Sequence, residues 1–395
     1  MMVNVIGALP FSTHGFRYDA REPKISIVIN KIMPSNRRAL GSTIMAMAVL
    51  AGCQTTQIPN ASSVLASAVA GVRTSMAIPG AVPLPPMAPS RLVTSVEMLR
   101  RQFSGITGVA IKSVDKGWVL SSNGNLRLPQ QSVSKLWVAM AALDLRDQGR
   151  LRLDDAVTVT RDDLTLFHQP IAAMVKGDGY KTNVGELLQR ALTTSDNTAN
   201  DRLLRFIGGP EAVRLFIKRK ALGDIQFGPG ERLLQSRTAG LEWRPEFAFG
   251  NAFTRARAQL SETTRIAAYQ EYIANPPDGA APLAIATALA KLKKGELLSE
   301  TSTRYLIETM EASKTGKMRL RGAVPEGWRF GHKTGTGQDL GGHTAGYNDV
   351  GVLTAPDGRS YSLAVMIGDT DRPVRDRQLL MQSVVEALVS LHDIG

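Results

Sequence analysis

One cysteine, Cys53, stands in 395 residues, so the chain can form neither an intramolecular disulfide nor a cysteine cluster around a metal. Histidine is nearly as scarce. His14, His168, His332, His343 and His392 never fall as His-x-His or His-Glu-x-x-His, so the spacing of a zinc hydrolase is missing and no metal is expected. No long Lys/Arg run interleaved with aromatics is present either, although the formal charge is +12. Six basic residues face two acidic ones before Cys53, and beyond it the signs are mixed. The surplus therefore reads as a basic surface suited to anionic surfaces or substrates, and nucleic acid is not an expected partner. With 43 % apolar and 21 % charged residues, disordered, collagenous and coiled-coil classes are excluded for the whole chain. A globular protein of one large or two interleaved domains is left.

Residues 1–53 read as a targeting region. Asn36-Arg37-Arg38 precedes an apolar stretch over 39–49, shorter than the ~20 residues a bilayer crossing needs and in keeping with the apolar region of a signal peptide. Leu50-Ala51-Gly52-Cys53 resembles the bacterial lipoprotein box, in which the cysteine becomes the lipidated N-terminus. The competing reading is a short core helix with a buried thiol. Residues 1–32 are unusual ahead of such a region, which makes Met33 a candidate start. Residues 54–90, rich in Ala, Ser and Pro, cannot bury enough apolar area to fold and predict a semi-extended tether. A periplasmic, membrane-anchored lipoprotein is the expectation.

Leu92, Val93, Val96, Leu99 and Phe103 recur at helical spacing and predict a helix over 91–104. A hairpin is predicted from strands over 109–114 and 117–121 around Asp115-Lys116-Gly117. From 132 to 311 the periodicity is mostly helical. Strands return over 328–333, 346–354 and 360–367, and a helix over 373–392 closes the chain. This order implies an α/β fold: an antiparallel sheet flanked by N- and C-terminal helices, its halves drawn from about 91–128 and 318–395, with an inserted all-α subdomain over about 129–317.

Three short motifs carry chemistry. Ser132-Val133-Ser134-Lys135 opens a helix, which puts Ser132 and Lys135 one turn apart on one face, where an amine can take the hydroxyl proton. Ser113-Val114-Asp115-Lys116 matches the same pattern, but its ends lie on a strand and in a turn and do not converge. Ser195-Asp196-Asn197 lies between two helical stretches, and a plain helix cap is its bland alternative. Lys333-Thr334-Gly335 ends a strand. Its second copy, Lys314-Thr315-Gly316, reads as the C-cap of the preceding helix, with Gly316 left-handed.

In this order and context the motifs form a known signature set, and from residue 91 onward the chain resembles the class A serine β-lactamases and the related penicillin-binding enzymes. Leu292-Lys293-Lys294-Gly295-Glu296-Leu297-Leu298 and Gly327-Trp328 are similar to that family's framework. The resemblance implies a serine β-lactamase-like fold over 91–395 and a hydrolase that acts without a cofactor, as a monomer, on a β-lactam or peptidoglycan-like substrate. It implies Ser132 as acylated nucleophile, Lys135 as neighbouring base, Ser195 as proton relay to the leaving nitrogen and Asn197 as holder of the substrate amide. Lys333, Thr334 and Gly335 would bind the substrate carboxylate, and the backbone N–H groups of Ser132 and Thr336 would form the oxyanion hole.

Glu231-Arg232-Leu233-Leu234-Gln235 resembles the Glu-x-x-Leu-Asn of the class A omega loop, with Gln235 in place of the asparagine that helps hold the deacylating water. The Gly228-Pro229-Gly230 lead-in departs from the family, and residues 236–275 run roughly thirty residues longer than its loop usually does. Arg319 falls where some class A enzymes place a carboxylate-binding arginine, Arg321 reads as structural, and His168 falls where an aromatic gatekeeper is frequent. Two alternatives stay open: a D-alanyl-D-alanine peptidase or esterase on the same scaffold, for which Glu231 discriminates, and a β-lactam sensor that stays acylated.

Overall fold

The computed structural model describes residues 86–392. Cys53, Met33 and nearly all of the tether lie outside the described residues. The first helix runs Ser90–Gln102, close to expectation, and buries Leu92 and Val96. The main sheet is built from β1 (Ile106–Ser113), β2 (Val119–Ser122), β3 (Arg329–Thr336), the two-residue β4 (Asp339–Leu340), β5 (His343–Thr354) and β6 (Ser360–Thr370). Its order is β2-β1-β6-β5-β3, with β4 pairing β5, and every pair is antiparallel. The strands at both ends of the chain thus make one sheet, as the sequence predicts, and the three C-terminal ones run longer than their apolar cores suggested.

Alternation along the strands divides the sheet's side chains between two cores. Val109, Ile111, Leu363, Val365 and Ile367 pack with the first helix and the last, Val374–Val389. Ala110, Val350, Val352, Ala364 and Met366 join the larger core of the helical block. The helix Lys135–Asp147 crosses that core, and all residues from Lys135 to Asp144 are buried. A helix apolar on every side is an interior helix, and the Trp137-to-Leu143 run provides the depth at which Ser132 and Lys135 are set.

The block over 129–317 is not purely helical. Leu128–Pro129 pairs with Gly279–Ala280, and Ala156–Val159 with Tyr180–Asn183. The Lys314-Thr315-Gly316 copy needs correction: the helix Glu300–Glu311 ends at Ala312, before Gly316. Gly316 does adopt a left-handed φ of 69°, but a Cβ on it would lie 2.4 Å from Thr334 Cγ2, and Thr315 Oγ1 is 2.9 Å from Thr334 Oγ1. The discarded copy therefore packs directly against the retained one. Ser113 of the other discarded motif is buried and accepts the Lys116 N–H at 3.1 Å, a turn contact with no path to the site.

Candidate active site

Ser132 sits in a tight 3₁₀ turn, Gln131–Ser134, that runs into the helix beginning at Lys135. The residue before it, Gln131, is left-handed at φ 54°, a costly backbone state for a non-glycine that persists only when its surroundings hold it. Those surroundings are specific. The Gln131 N–H donates to Asp278 Oδ2 at 2.7 Å, its side-chain amide donates to the Tyr272 hydroxyl at 2.7 Å, and its Oε1 accepts from Gln235 Nε2 at 2.9 Å. Tyr272 in turn donates to the Asp278 carboxylate at 3.0 Å. Burial pushes the Asp278 carboxyl up to about 7, with the Gln131 N–H and Tyr272 hydroxyl opposing. From the other side Gly335 closes on the same segment: a Cβ there would stand 2.3 Å from the Gln130 carbonyl oxygen. Only glycine lets the end of β3 lie against the turn that presents Ser132.

Lys135 Nζ, fully buried, donates to Ser132 Oγ at 3.0 Å, to the Ser195 carbonyl at 2.9 Å and to Asn197 Oδ1 at 2.5 Å, and it stands 3.1 Å from Glu231 Oε1. Ser195, left-handed at φ 61°, places its Oγ 3.4 Å from Lys135 Nζ and 2.9 Å from Lys333 Nζ. Four side chains thus form a continuous hydrogen-bonded run from Ser132 through Lys135 and Ser195 to Lys333. Burial drives the Lys333 ammonium well below its usual range, and the Lys135 charge adds to this.

Asp196 is the helix cap that composition suggests: its carboxylate accepts the Ala199 N–H at 2.9 Å and the Ile171 N–H at 2.6 Å. The capping reading holds for Asp196, while Ser195 and Asn197 of the same motif reach Lys135 and line the cleft. Asn197 opens the helix Asn197–Phe206 and donates from Nδ2 to the Leu166 carbonyl at 2.9 Å. One turn on, Asp201 accepts the backbone N–H of Glu231 at 2.9 Å, a brace the sequence reading missed although its spacing from Asn197 is legible.

The Gly-Pro-Gly lead-in does not displace Glu231. Gly230 takes φ 98° immediately before the helix Glu231–Thr238, and a Cβ there would press to 3.2 Å on Leu204. Glu231 and Gln235, four apart on that helix, share its inner face and are both buried. Gln235 Nε2 lies 3.3 Å from Glu231 Oε2, and Gln338 Nε2 holds Gln235 through its backbone and side-chain oxygens at 2.8 and 3.0 Å.

The cleft above these groups encloses about 560 Å³ and is lined by Ser132, Ser195, Asn197, Glu231, Gln235, Thr334 and Thr336, with His168 and Arg319 at its walls. Gly335 is absent from that lining, and Lys333 reaches the site through Ser195. Arg319 is buried, stacked 3.7 Å over the Tyr347 ring, and bonded to the Gly335 and Asn348 carbonyls and to Thr336 Oγ1. Its charge stands behind Thr336 instead of projecting freely into the cleft. Arg321 binds the Ser313, Glu311 and Phe330 carbonyls, the structural role expected of it. His168 is exposed, and its carbonyl accepts the Asn197 N–H at 2.9 Å. The aromatic at this wall is its neighbour Phe167, left-handed at φ 60° and packed edge-on to Phe253 with ring centres 5.2 Å apart.

Phe253 belongs to the long segment after Glu231. That segment folds as helices Ala252–Gln259 and Glu262–Ala274, joined to the cleft by two apolar contacts. Phe247 and Phe253 cluster with Leu166, and Tyr269 and Tyr272 cluster with Leu234 and Ala345. A further pair missed from sequence, His332 and Asp349, is fully buried behind Lys333 at 2.8 Å, and Asp349 also accepts the Leu320 N–H at 3.1 Å. It fixes the strand that carries Lys333.

This chain matches known proteins over the same region. A sequence model of the β-lactamase enzyme family matches residues 91–390. The extended-spectrum β-lactamase PER-1 of Pseudomonas aeruginosa is 31% identical over 280 residues, covering 71% of this chain and 80% of the relative. The β-lactamase VEB-1 of the same organism is 27% identical over 280 residues, covering 71% and 83%. Among solved structures, a β-lactamase from Chitinophaga pinensis superposes with a TM-score of 0.62 at 26% identity, over 76% of this chain and 99% of that one. With the Ser-x-x-Lys, Ser-Asp-Asn and Lys-Thr-Gly residues drawn around one cleft, these matches establish that the chain belongs to the β-lactamase enzyme family, in its class A serine branch.

Proposed function

We propose that this protein hydrolyses β-lactams by acylation and deacylation of Ser132. The observation that carries the proposal is the position of Lys135 Nζ, 3.0 Å from Ser132 Oγ and 3.1 Å from Glu231 Oε1. In acylation the Ser132 hydroxyl attacks the lactam carbonyl and its proton leaves toward Lys135, which Glu231 and Asn197 orient. The developing oxyanion is assigned to the backbone N–H groups of Ser132 and Thr336. As the C–N bond breaks, Ser195 passes its proton to the lactam nitrogen and regains one from Lys135, which lies 3.4 Å from its Oγ, so that the Ser132 proton ends on the leaving nitrogen while Lys333 holds Ser195 in place. The ring carboxylate is assigned to Thr334 and Thr336, in the field of Lys333 and Arg319. In deacylation Glu231, steadied by Gln235, takes a proton from water, which attacks the ester carbon; as the ester bond breaks, the proton returns to Ser132 Oγ through Lys135, which contacts both groups.

A buried carboxylate touching the nucleophile's base favours a hydrolase over a sensor that stays acylated. It also favours β-lactam turnover over the peptidase or esterase alternative. Steady-state assays on a penicillin, a cephalosporin and a p-nitrophenyl ester test this. Multiple turnovers of either lactam are expected. Turnover of the ester alone, or one equivalent of acylation without further product, overturns the proposal.

We further propose that the protein is a periplasmic lipoprotein held to the membrane by a lipid on Cys53, on the support of the Leu-Ala-Gly-Cys box, and that it acts as a monomer. Two acyl chains suffice for stable anchoring without a spanning helix. Cys53→Ala is expected to move the protein from the membrane to the soluble fraction; unchanged fractionation rejects the anchor.

A further inference from the structure

The helix Ala252–Gln259 brings Arg257 to the edge of the catalytic cleft, where it lines the wall together with Gln338 and Asp339. Arg257 Nη2 donates to the Asp339 carbonyl at 2.9 Å, which fixes the side chain without neutralising it. Its Nε is buried with no hydrogen-bond partner, and among the described residues no carboxylate forms an ion pair with it. Asp339, the acidic residue whose field it feels, has its own carboxylate engaged by Thr344 Oγ1 at 2.5 Å. A second guanidinium, Arg265, lies close enough to raise the cost of the Arg257 charge, and its Nε is likewise buried without a partner. Burial and Arg265 together press Arg257 below the usual arginine range. A half-buried cation in a cleft, short of acceptors and crowded by a like charge, is stabilised by whatever anion comes to it.

The location says which part of a substrate that anion belongs to. Ser132, Asn197 and Thr336 surround the reacting amide, and the ring carboxylate is directed to Thr334 and Thr336. Past Thr336 the wall continues as Gln338 and Asp339, facing Gln235 of the helix Glu231–Thr238. An acyl side chain laid along this wall, beyond the reacting amide, would bring its far end to Arg257. We propose that Arg257 is a specificity-determining residue that binds a carboxylate carried on the acyl side chain of the substrate. The proposal rests on the β-lactam hydrolysis argued above.

The experiment compares two cephalosporins identical except at the oxyimino group, one with a neutral methoxyimino side chain and one with a carboxymethoxyimino side chain. The ratio of their kcat/KM values, anionic over neutral, is measured for wild type, Arg257→Gln, Arg257→Lys and Arg257→Glu. Arg257→Gln is expected to lower the ratio about 10-fold or more, as the loss of a charge-assisted hydrogen bond in a partly dry site requires. Arg257→Glu should lower it further, and Arg257→Lys should restore most of it. Raising the salt from about 0.05 M to about 0.5 M should shrink the wild-type ratio and leave that of Arg257→Gln little changed. Misfolding or loosening of the inserted helix would reduce both substrates together and leave the ratio where it was. A ratio unchanged within about twofold in Arg257→Gln and Arg257→Glu, with the neutral cephalosporin still turned over, overturns the assignment and leaves β-lactam hydrolysis standing. Failure of wild type to turn over either cephalosporin overturns both.

Discussion

Glu231→Gln, exposed to a penicillin, is expected to accumulate a stable acyl-enzyme that intact-mass measurement reads as protein plus one β-lactam. The variant keeps the shape of the side chain and its packing against Gln235, and it removes the group that takes a proton from water. Acylation retains Lys135 within 3.0 Å of Ser132 Oγ, so the adduct forms, and its loss slows by on the order of 10²-fold or more, the scale of a missing general base. A second consequence follows from the 3.1 Å contact with Lys135 in a buried site. The carbonyl oxygen of glutamine still accepts a hydrogen bond from Lys135 but offers no negative charge. Acylation is therefore expected to change far less than deacylation. Wild-type rates of hydrolysis in Glu231→Gln would place the base elsewhere; Glu242 and Glu246 are then the next carboxylates along the chain.

Ser132→Ala is expected to abolish the adduct and to lower hydrolysis on the order of 10³-fold or more, since no other hydroxyl meets both requirements of a nucleophile here. Ser195 is within reach of two lysines, but its Oγ accepts from Lys333 at 2.9 Å and stands 3.4 Å from Lys135, against 3.0 Å for Ser132. Ser113 is buried in the hairpin turn, and Ser113→Ala should acylate as wild type does. An adduct that persists in Ser132→Ala rejects the assignment. The contrast between the two Ser-x-x-Lys matches makes this a test of three-dimensional context, because sequence pattern alone scores them equally.

The groups most legible in the sequence were those whose spacing is local. Ser132 and Lys135, or Glu231 and Gln235, are set by one helical turn, and the fold turned on alternation in β1, β5 and β6. What stayed hidden is nonlocal. Nothing in the run Tyr269 to Tyr272 announces that a hydroxyl from an inserted helix holds Gln131, the residue before Ser132, 2.7 Å away. Nothing around Asp278 marks it as the acceptor of the Gln131 N–H. Arg319 matched a family position, yet its guanidinium is spent on the Gly335 and Asn348 carbonyls, and only the register of β3 against β5 puts those oxygens there. The second Lys-Thr-Gly was misjudged for the same reason. A C-cap is a local inference, and the contact of Thr315 with Thr334 is made across the fold.

The pairing of β1 with β6 joins Ile106–Ser113 to Ser360–Thr370, segments separated by roughly 250 residues, a loop whose closure is slow because its entropy is lost before the ladder returns any stabilisation. During synthesis the first hairpin emerges with one edge bare and keeps it bare until Ser360–Thr370 is made. The helical block between has contacts nearer in sequence, yet its core is completed only when Val350, Val352, Ala364 and Met366 of the sheet arrive. Assembly therefore ends where catalysis begins: β3, β5 and β6 arrive together, and with them Lys333. A ribosome-bound or truncated chain without β3 lacks both Lys333 and the Gly335 contact on the Ser132 turn, so it is expected to have no activity, and its exposed β1 edge is the surface a chaperone has most reason to cover.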